Sequence, residues 1–290
     1  MRGAAVAIVV GALAWFSAGA RAADLPPQVT VIGDSVLTGV LWNPEPLSIL
    51  QHGLQMRLDI GVCRRLSGVS CPYEGGNVPT LLDVVNTLGP QLGKVVLVEV
   101  GYNDDHDPFA QNVESSINAL LQAGVKRILW ANLRGFAQQW IDMNAVLDAA
   151  ARRHPELTVI DWNGYSTNKW SWFQGDGIHL VHEGAVAMAT LFRSAIDEAL
   201  APPLAVRTTT LPVARIGRKY VARLVATGGI APYTWRVTNG SLPRGLSLRP
   251  NGGIDGVARR TGSVHIVVAA TDSHGRAASR AELLRIASAS

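Results

Sequence analysis

Three short stretches of the chain hold residue types that together could carry out acyl chemistry. Gly33-Asp34-Ser35 offers a hydroxyl on a turn. Gly101-Tyr102-Asn103-Asp104 offers a side-chain amide able to donate to a developing oxyanion. Asp176-Gly177-Ile178-His179 separates a carboxylate and an imidazole by two residues, so one loop can hold both on the same face. The carboxylate could then orient the imidazole, and the imidazole could take a serine proton. Each stretch also has a plain alternative. Gly-Asp-Ser is a common turn or helix cap, Asn-Asp favours turns, and an aspartate before a helix often caps it beside an ordinary surface histidine. The combination carries the argument: a nucleophile, an oxyanion donor, a base and its orienter suit the transfer of an acyl group from an ester.

Such groups must be brought together by the elements around them. Val29 to Ile32 is a short apolar run ending at Gly33, and Arg57–Val62 is a weaker second run. Lys94–Val100, Arg127–Leu133 and Leu157–Asp161 are three more. Helical patterns fall between and after them, near Leu47–Met56, Thr80–Leu88, Phe109–Ala123, Trp140–His154 and Gly184–Leu200. Buried strand runs separated by amphipathic helices predict a mostly parallel sheet covered on both faces. Active sites of such sheets lie at the carboxyl ends of the strands. Gly33-Asp34-Ser35 and Gly101-Tyr102-Asn103 each follow a strand, so both fall at that edge.

These motifs and their order along the chain resemble the SGNH (GDSL-like) hydrolases over residues 29–200. The resemblance implies an α/β fold of the flavodoxin-like, three-layer type with a parallel sheet, and esterase activity without metal or organic cofactor. It implies Ser35 as nucleophile and first oxyanion amide, Asn103 as a further donor, and His179 with Asp176 as the rest of a triad. It also implies a glycine whose amide joins the oxyanion hole. That glycine is expected in Cys71–Asn77, where Gly75 is preferred over Gly76. Asp34, Gly76, Tyr102 and Trp172 are candidate substrate contacts. Val36 stands where such chains usually carry leucine, a difference of packing. Trp170, Trp172 and Phe173 could wall the acyl or leaving group or simply pack the loop. His106 and His182 read as surface histidines.

After Pro202-Pro203 the character changes to threonines, prolines, glycines and short alternating runs such as Tyr220–Ala226 and Ser263–Ala270. This pattern predicts a small all-β sandwich. Gly228 to Trp235, Leu242 to Leu248, Gly256 and Ala270-Thr271-Asp272 resemble immunoglobulin-like, cadherin-like modules of bacterial surface and secreted proteins. The expected division is a signal peptide over 1–22, a hydrolase domain over 23–200, a linker over 201–208 and an Ig-like module over 209–290. The signal peptide rests on Arg2, the apolar run Ala4–Phe16 and the small-x-small site Ala20-Arg21-Ala22. Export to a secreted, periplasmic or cell-envelope location follows, with no transmembrane segment in the mature chain.

Cys63 and Cys71 are the only cysteines. In an exported chain they are expected to form one disulfide. Two cysteines with no nearby histidine pair cannot fill the four positions of a zinc site, so no metal is expected. Charge divides the two parts: residues 23–206 hold 11 Lys/Arg against 19 Asp/Glu, and residues 207–290 hold 13 against 3. The basic module could dock on an envelope polyanion or glycan, or could pack against the acidic domain. Nucleic acid is not expected, because export removes the protein from it. The reading is a secreted serine esterase acting on acyl esters, O-acetyl or lipid. Its alternative is an inactive surface adhesin or glycan-binding protein on the same scaffold.

Overall fold

The five apolar runs become strands in the computed structural model of the chain, which describes residues 29–73 and 75–289. They are β1 (Val29–Gly33), β2 (Met56–Ile60), β3 (Val95–Glu99), β4 (Arg127–Ala131) and β5 (Leu157–Ile160). All pair in parallel, in the order β2-β1-β3-β4-β5. The segment expected to be a signal peptide lies outside the described residues. No described helix is long and apolar enough to cross a membrane.

Alternate strand residues feed two hydrophobic layers, which explains why the strands read as continuous apolar runs. Ile32, Val96, Val98, Ile128 and Trp130 pack with α2 (Leu81–Leu88), α3 (Phe109–Gln122) and α4 (Gln138–Arg153). Val29, Val31, Leu97, Leu129 and Ala131 pack on the other side with α1 (Pro44–Gln51) and α5 (His182–Leu200). Helix α1 starts three residues before the expected Leu47. Pro44 opens it, since the fixed φ of proline suits a first turn, and Gly53 beyond its end has φ +69°. Thr80 caps α2 reciprocally with Asp83, satisfying amides that the first turn leaves open.

The second part is a β-sandwich. One sheet holds β6 (Lys219–Arg223), β9 (Gly253–Val257) and β8 (Leu246–Leu248). The other pairs β7 (Thr234–Asn239), β10 (Gly262–Thr271) and β11 (Ala277–Ala287), with Ala214–Arg215 at its edge. Trp235, Tyr220, Ile254, Val268 and Leu284 form its core. The stretch expected to be a linker is partly structured. Ala205–Val206 pairs with Ala226–Thr227, so the module begins before residue 209. The two parts touch at the end of α5, where Ser194 bonds the His274 ring at 3.1 Å and Arg276 donates to the Glu198 carbonyl at 3.2 Å.

Cys63 and Cys71 are joined in a disulfide, with Cα atoms 5.5 Å apart and a sequence separation of 8. It closes the loop that leaves β2. A bridge across so short a loop is worth about 2 kcal/mol by restricting the unfolded chain. Replacing both cysteines by serine should therefore lower the melting temperature by about 4–8 °C in a domain of this size. Calorimetry of the paired variant checks this, and an unchanged midpoint would remove the bridge from the account.

Candidate active site

The site starts from strand register. Gly33, the last residue of β1, lies opposite Ile60 of β2 and Glu99 of β3. The loops leaving the three strands therefore emerge side by side. The strand order reverses at this point, where open parallel sheets leave a crevice for ligands.

Just past β1, Asp34 caps a single 3-10 turn over Ser35–Leu37 by accepting the Val36 N–H at 3.0 Å. The turn is tight. A Cβ on Gly33 would meet Leu37 Cδ1 at 2.4 Å, so a larger residue there would have to push the Leu37 side chain aside. Val36 and Leu37 are buried, which leaves Ser35 half-exposed at the sheet edge.

The loop before α5 supplies the other two groups. Asp176 Oδ1 accepts the N–H groups of Ile178 and His179 at 2.9 and 3.0 Å, so its second oxygen is fixed toward the ring. Asp176 Oδ2 lies 2.6 Å from His179 Nδ1, and His179 Nε2 lies 2.9 Å from Ser35 Oγ. A carboxylate at Nδ1 selects the tautomer with the proton there and leaves the Nε2 lone pair to accept from the serine. Partial burial raises the Asp176 pKa, but these bonds outweigh it and hold the group below its ordinary value. Thus Ser35, His179 and Asp176 stand in one hydrogen-bonded line, although Ser35 and His179 are 144 positions apart in sequence.

Asn103 lies on the loop after β3. Its amide nitrogen donates to Asp34 Oδ2 at 3.3 Å and to the Arg64 carbonyl at 3.2 Å. Both contacts are at the long end for N–H···O bonds, so turning one hydrogen toward a substrate oxygen gives up little.

Several sequence expectations need correction. Asp34 was expected at the substrate, but it is wholly buried and spends its carboxylate on Val36, Asn103 and Glu99. Tyr102 packs edge-on against Trp140 and accepts the Arg134 N–H at 2.6 Å on its hydroxyl. Trp172 stacks on Trp162, and its carbonyl accepts the Val181 N–H. A Cβ on Gly184 would meet that carbonyl at 2.1 Å, so the start of α5 is pressed against it. Gly75 and Gly76 lie on the exposed hairpin of Pro72–Tyr73 and Gly76–Asn77, where an added Cβ meets nothing within 4 Å. The segment beside Asn103 is instead the turn Gly61–Arg64. In it Cys63 has φ +69°, a left-handed conformation unusual outside glycine, so cysteine stands at a position whose backbone suits a glycine.

Two further residues escaped the sequence reading. Arg134, buried just past β4, donates to the Gly177 carbonyl at 2.7 Å. Its guanidinium lies 4.0 Å from the ring centres of both Trp170 and Phe173, so the aromatic run holds this cation beneath the Asp176–His179 loop. Glu99 is the other, and its signal was visible as a lone acid in Lys94–Val100. His106 bonds Asp107, and His182 pairs with Glu45, so both serve local surface contacts.

Residues 202–286 match the family model described as "Putative Ig domain". The "Putative peptidoglycan O-acetyltransferase YrhL" of Bacillus subtilis (strain 168) is 26% identical over 180 residues, 61% of this chain and 25% of that protein. The peptidoglycan O-acetyltransferase OatA of Listeria monocytogenes is 31% identical over 104 residues, 36% of this chain and 16% of that protein. The chain thus spans about a quarter or less of these relatives. A family 3 carbohydrate esterase of Clostridium thermocellum superposes with TM-score 0.40 at 14% identity, covering 57% of this chain and 93% of that one. The chain joins a parallel-sheet α/β domain to an Ig-like module.

Asp104 holds the neighbouring loop. Its carboxylate accepts the Leu66 N–H, and burial raises its pKa to about 7 despite that bond and the nearby Arg65. Asp34 is raised by burial to about 6, against the Val36 N–H and other donors. Both groups bind a proton more tightly when folded than at their ordinary 3.8. Their contribution to stability is thus complete below about pH 4 and is lost as pH rises through about 6 and 7. Asp104→Asn keeps an acceptor for Leu66 and removes one titration. Melting temperature followed from pH 5 to 8 should fall in the wild type and fall less in the variant. Identical slopes would show that Asp104 is not the source.

Proposed function

We propose that the chain is an exported serine esterase that removes O-acetyl or lipid acyl groups from cell-envelope molecules. The observation that carries it is the Ser35–His179–Asp176 line, at 2.9 and 2.6 Å, lying beside an amide donor at the switch point of the sheet.

Ser35 Oγ attacks the ester carbonyl while His179 Nε2 takes its proton, and Asp176 stabilises the imidazolium so formed. The carbonyl oxygen, now an anion, accepts from the Ser35 amide and from Asn103. In the Gly61–Arg64 turn the outer amides are engaged: Gly61 donates to Gly33 and Arg64 donates to Gly61. The amides between them, of Val62 and Cys63, take the place expected of a glycine. His179 then protonates the leaving alcohol, and water repeats the sequence on the acyl-serine. The half-exposed His179 and the exposed Asp176 leave water a path to the acyl-enzyme, which supports hydrolysis.

A second reading has a glycan hydroxyl in place of that water, giving acetyl transfer, and the names of the curated relatives favour it. Product analysis with an acetyl donor, with and without an envelope glycan, separates the two. The arginine-rich module would hold the enzyme on an anionic envelope polymer in either case.

Ser35→Ala and His179→Ala should each lower kcat by about 10³-fold or more, and the double variant should be little worse than either. A fluorophosphonate probe should label the wild type at Ser35 and not label Ser35→Ala. Absence of labelling in the folded wild type would favour the inactive adhesin. Asn103→Ala should lower kcat by about 10²-fold with KM little changed, as expected of a group that acts on the transition state. A raised KM at unchanged kcat would make Asn103 a binding residue instead.

A further inference from the structure

Glu99 ends β3 and is almost fully buried, yet nothing in the catalytic sequence above uses it. Parallel pairing sets it directly across from Gly33, and the Asp34 N–H donates to its backbone carbonyl at 2.9 Å. Its carboxyl also shares a hydrogen bond with the carboxyl of Asp34. One Asp34 oxygen accepts from Val36, and the other accepts from the Asn103 amide. A chain of contacts therefore runs from Glu99 through Asp34 to the group aimed at the oxyanion.

Two buried carboxyls in hydrogen-bond contact cannot both be ionised, so a single proton must lie between them. The surroundings decide where it sits. Asp34 has two N–H donors that favour its charge, whereas the second oxygen of Glu99 is buried with no hydrogen-bond partner. A neutral acid tolerates that position better than a carboxylate does. Burial and the Asp34 charge both push the Glu99 pKa well up. The other charged or titratable groups interacting with the pair are His179, Tyr102 and Asp104.

We propose that Glu99 is a positioning residue, whose protonated carboxyl donates to Asp34 and so keeps the Asp34 carboxylate aligned to hold Asn103 in the oxyanion hole. The assignment rests on the esterase reading above. Loss of the proton would set two negative charges against each other and release the Asn103 amide. Glutamine at position 99 would keep a permanent donor, and leucine would supply none.

The test follows kcat and KM for a 4-nitrophenyl acetate substrate against pH, in the wild type, Glu99→Gln and Glu99→Leu, each also in an Asn103→Ala background. The wild type should lose kcat on the alkaline side as the shared proton leaves, and Glu99→Gln should lack that limb while staying within about threefold of wild type near neutrality. Glu99→Leu should lose about tenfold in kcat at unchanged KM, and that loss should disappear in the Asn103→Ala background, because coupled residues do not add. An alkaline limb of the same shape in Glu99→Gln overturns the proposal. So does a Glu99→Leu loss that persists without Asn103. Should Glu99→Leu fail to fold, the glutamine comparison decides alone. Labelling of Ser35 by the fluorophosphonate probe keeps the two claims apart: if Ser35 labels and Glu99 is indifferent, only the positioning role falls.

Discussion

The whole site hangs on the pairing of one strand end with its two neighbours. Because β1 sits between β2 and β3 and Gly33 lies opposite both Ile60 and Glu99, three loops leave the sheet at the same level. Those loops carry Ser35, the Gly61–Arg64 turn and Asn103. A slip of one residue in either pairing would turn alternate side chains to the wrong layer of the core. The hydrophobic layers thus fix the register, and the register fixes the distances at the site. The Asp176–His179 loop comes from far along the chain and is brought in by α5, which packs beneath the same sheet.

Around Ser35 and His179, burial does as much as geometry. Asp34, Glu99 and Asp104 are three carboxyl groups drawn close together, each with its pKa raised by loss of water. Backbone N–H groups and one shared proton offset that cost, and in exchange the loops are tied to each other by directional bonds. Asp176 goes the opposite way. It stays near solvent, collects donors and remains ionised, which is the state a histidine partner needs. The same residue type thus serves as a rigid tie inside and as a charged orienter outside, and only the surroundings differ.

The Ig-like module contributes contacts at the far end of α5 rather than groups at the site. Arg276 links it to the α/β domain while pairing with the buried Asp272, whose pKa is lowered to about 2 because donors from Ile230, His274 and Arg276 outweigh its burial. One of the thirteen basic side chains of residues 207–290 is therefore part of the junction, and Arg249 is paired within the module to Asp255.

By itself the sequence determined the parts that depend on pattern over short distances. Apolar runs and helical stripes set five parallel strands, the flanking helices and the β-rich second half, because burial of apolar surface follows local periodicity. The motif residues Ser35, Asn103, Asp176 and His179 stood out in the sequence only as a combination, since each stretch alone reads as an ordinary turn or cap. Only the tertiary structure decided which loop faces Asn103. Gly75 looked right as a glycine near a helix start, but strand β2 delivers Gly61–Arg64 to the crevice and leaves Gly75 on an outer hairpin. It likewise decided that Asp34 and Tyr102 point inward and that Arg134 lies under the Asp176–His179 loop. The reason is physical: a hydrogen-bond partner or a charge 30 to 140 residues away leaves no periodic trace in the chain, and becomes definite only when the sheet has set its register.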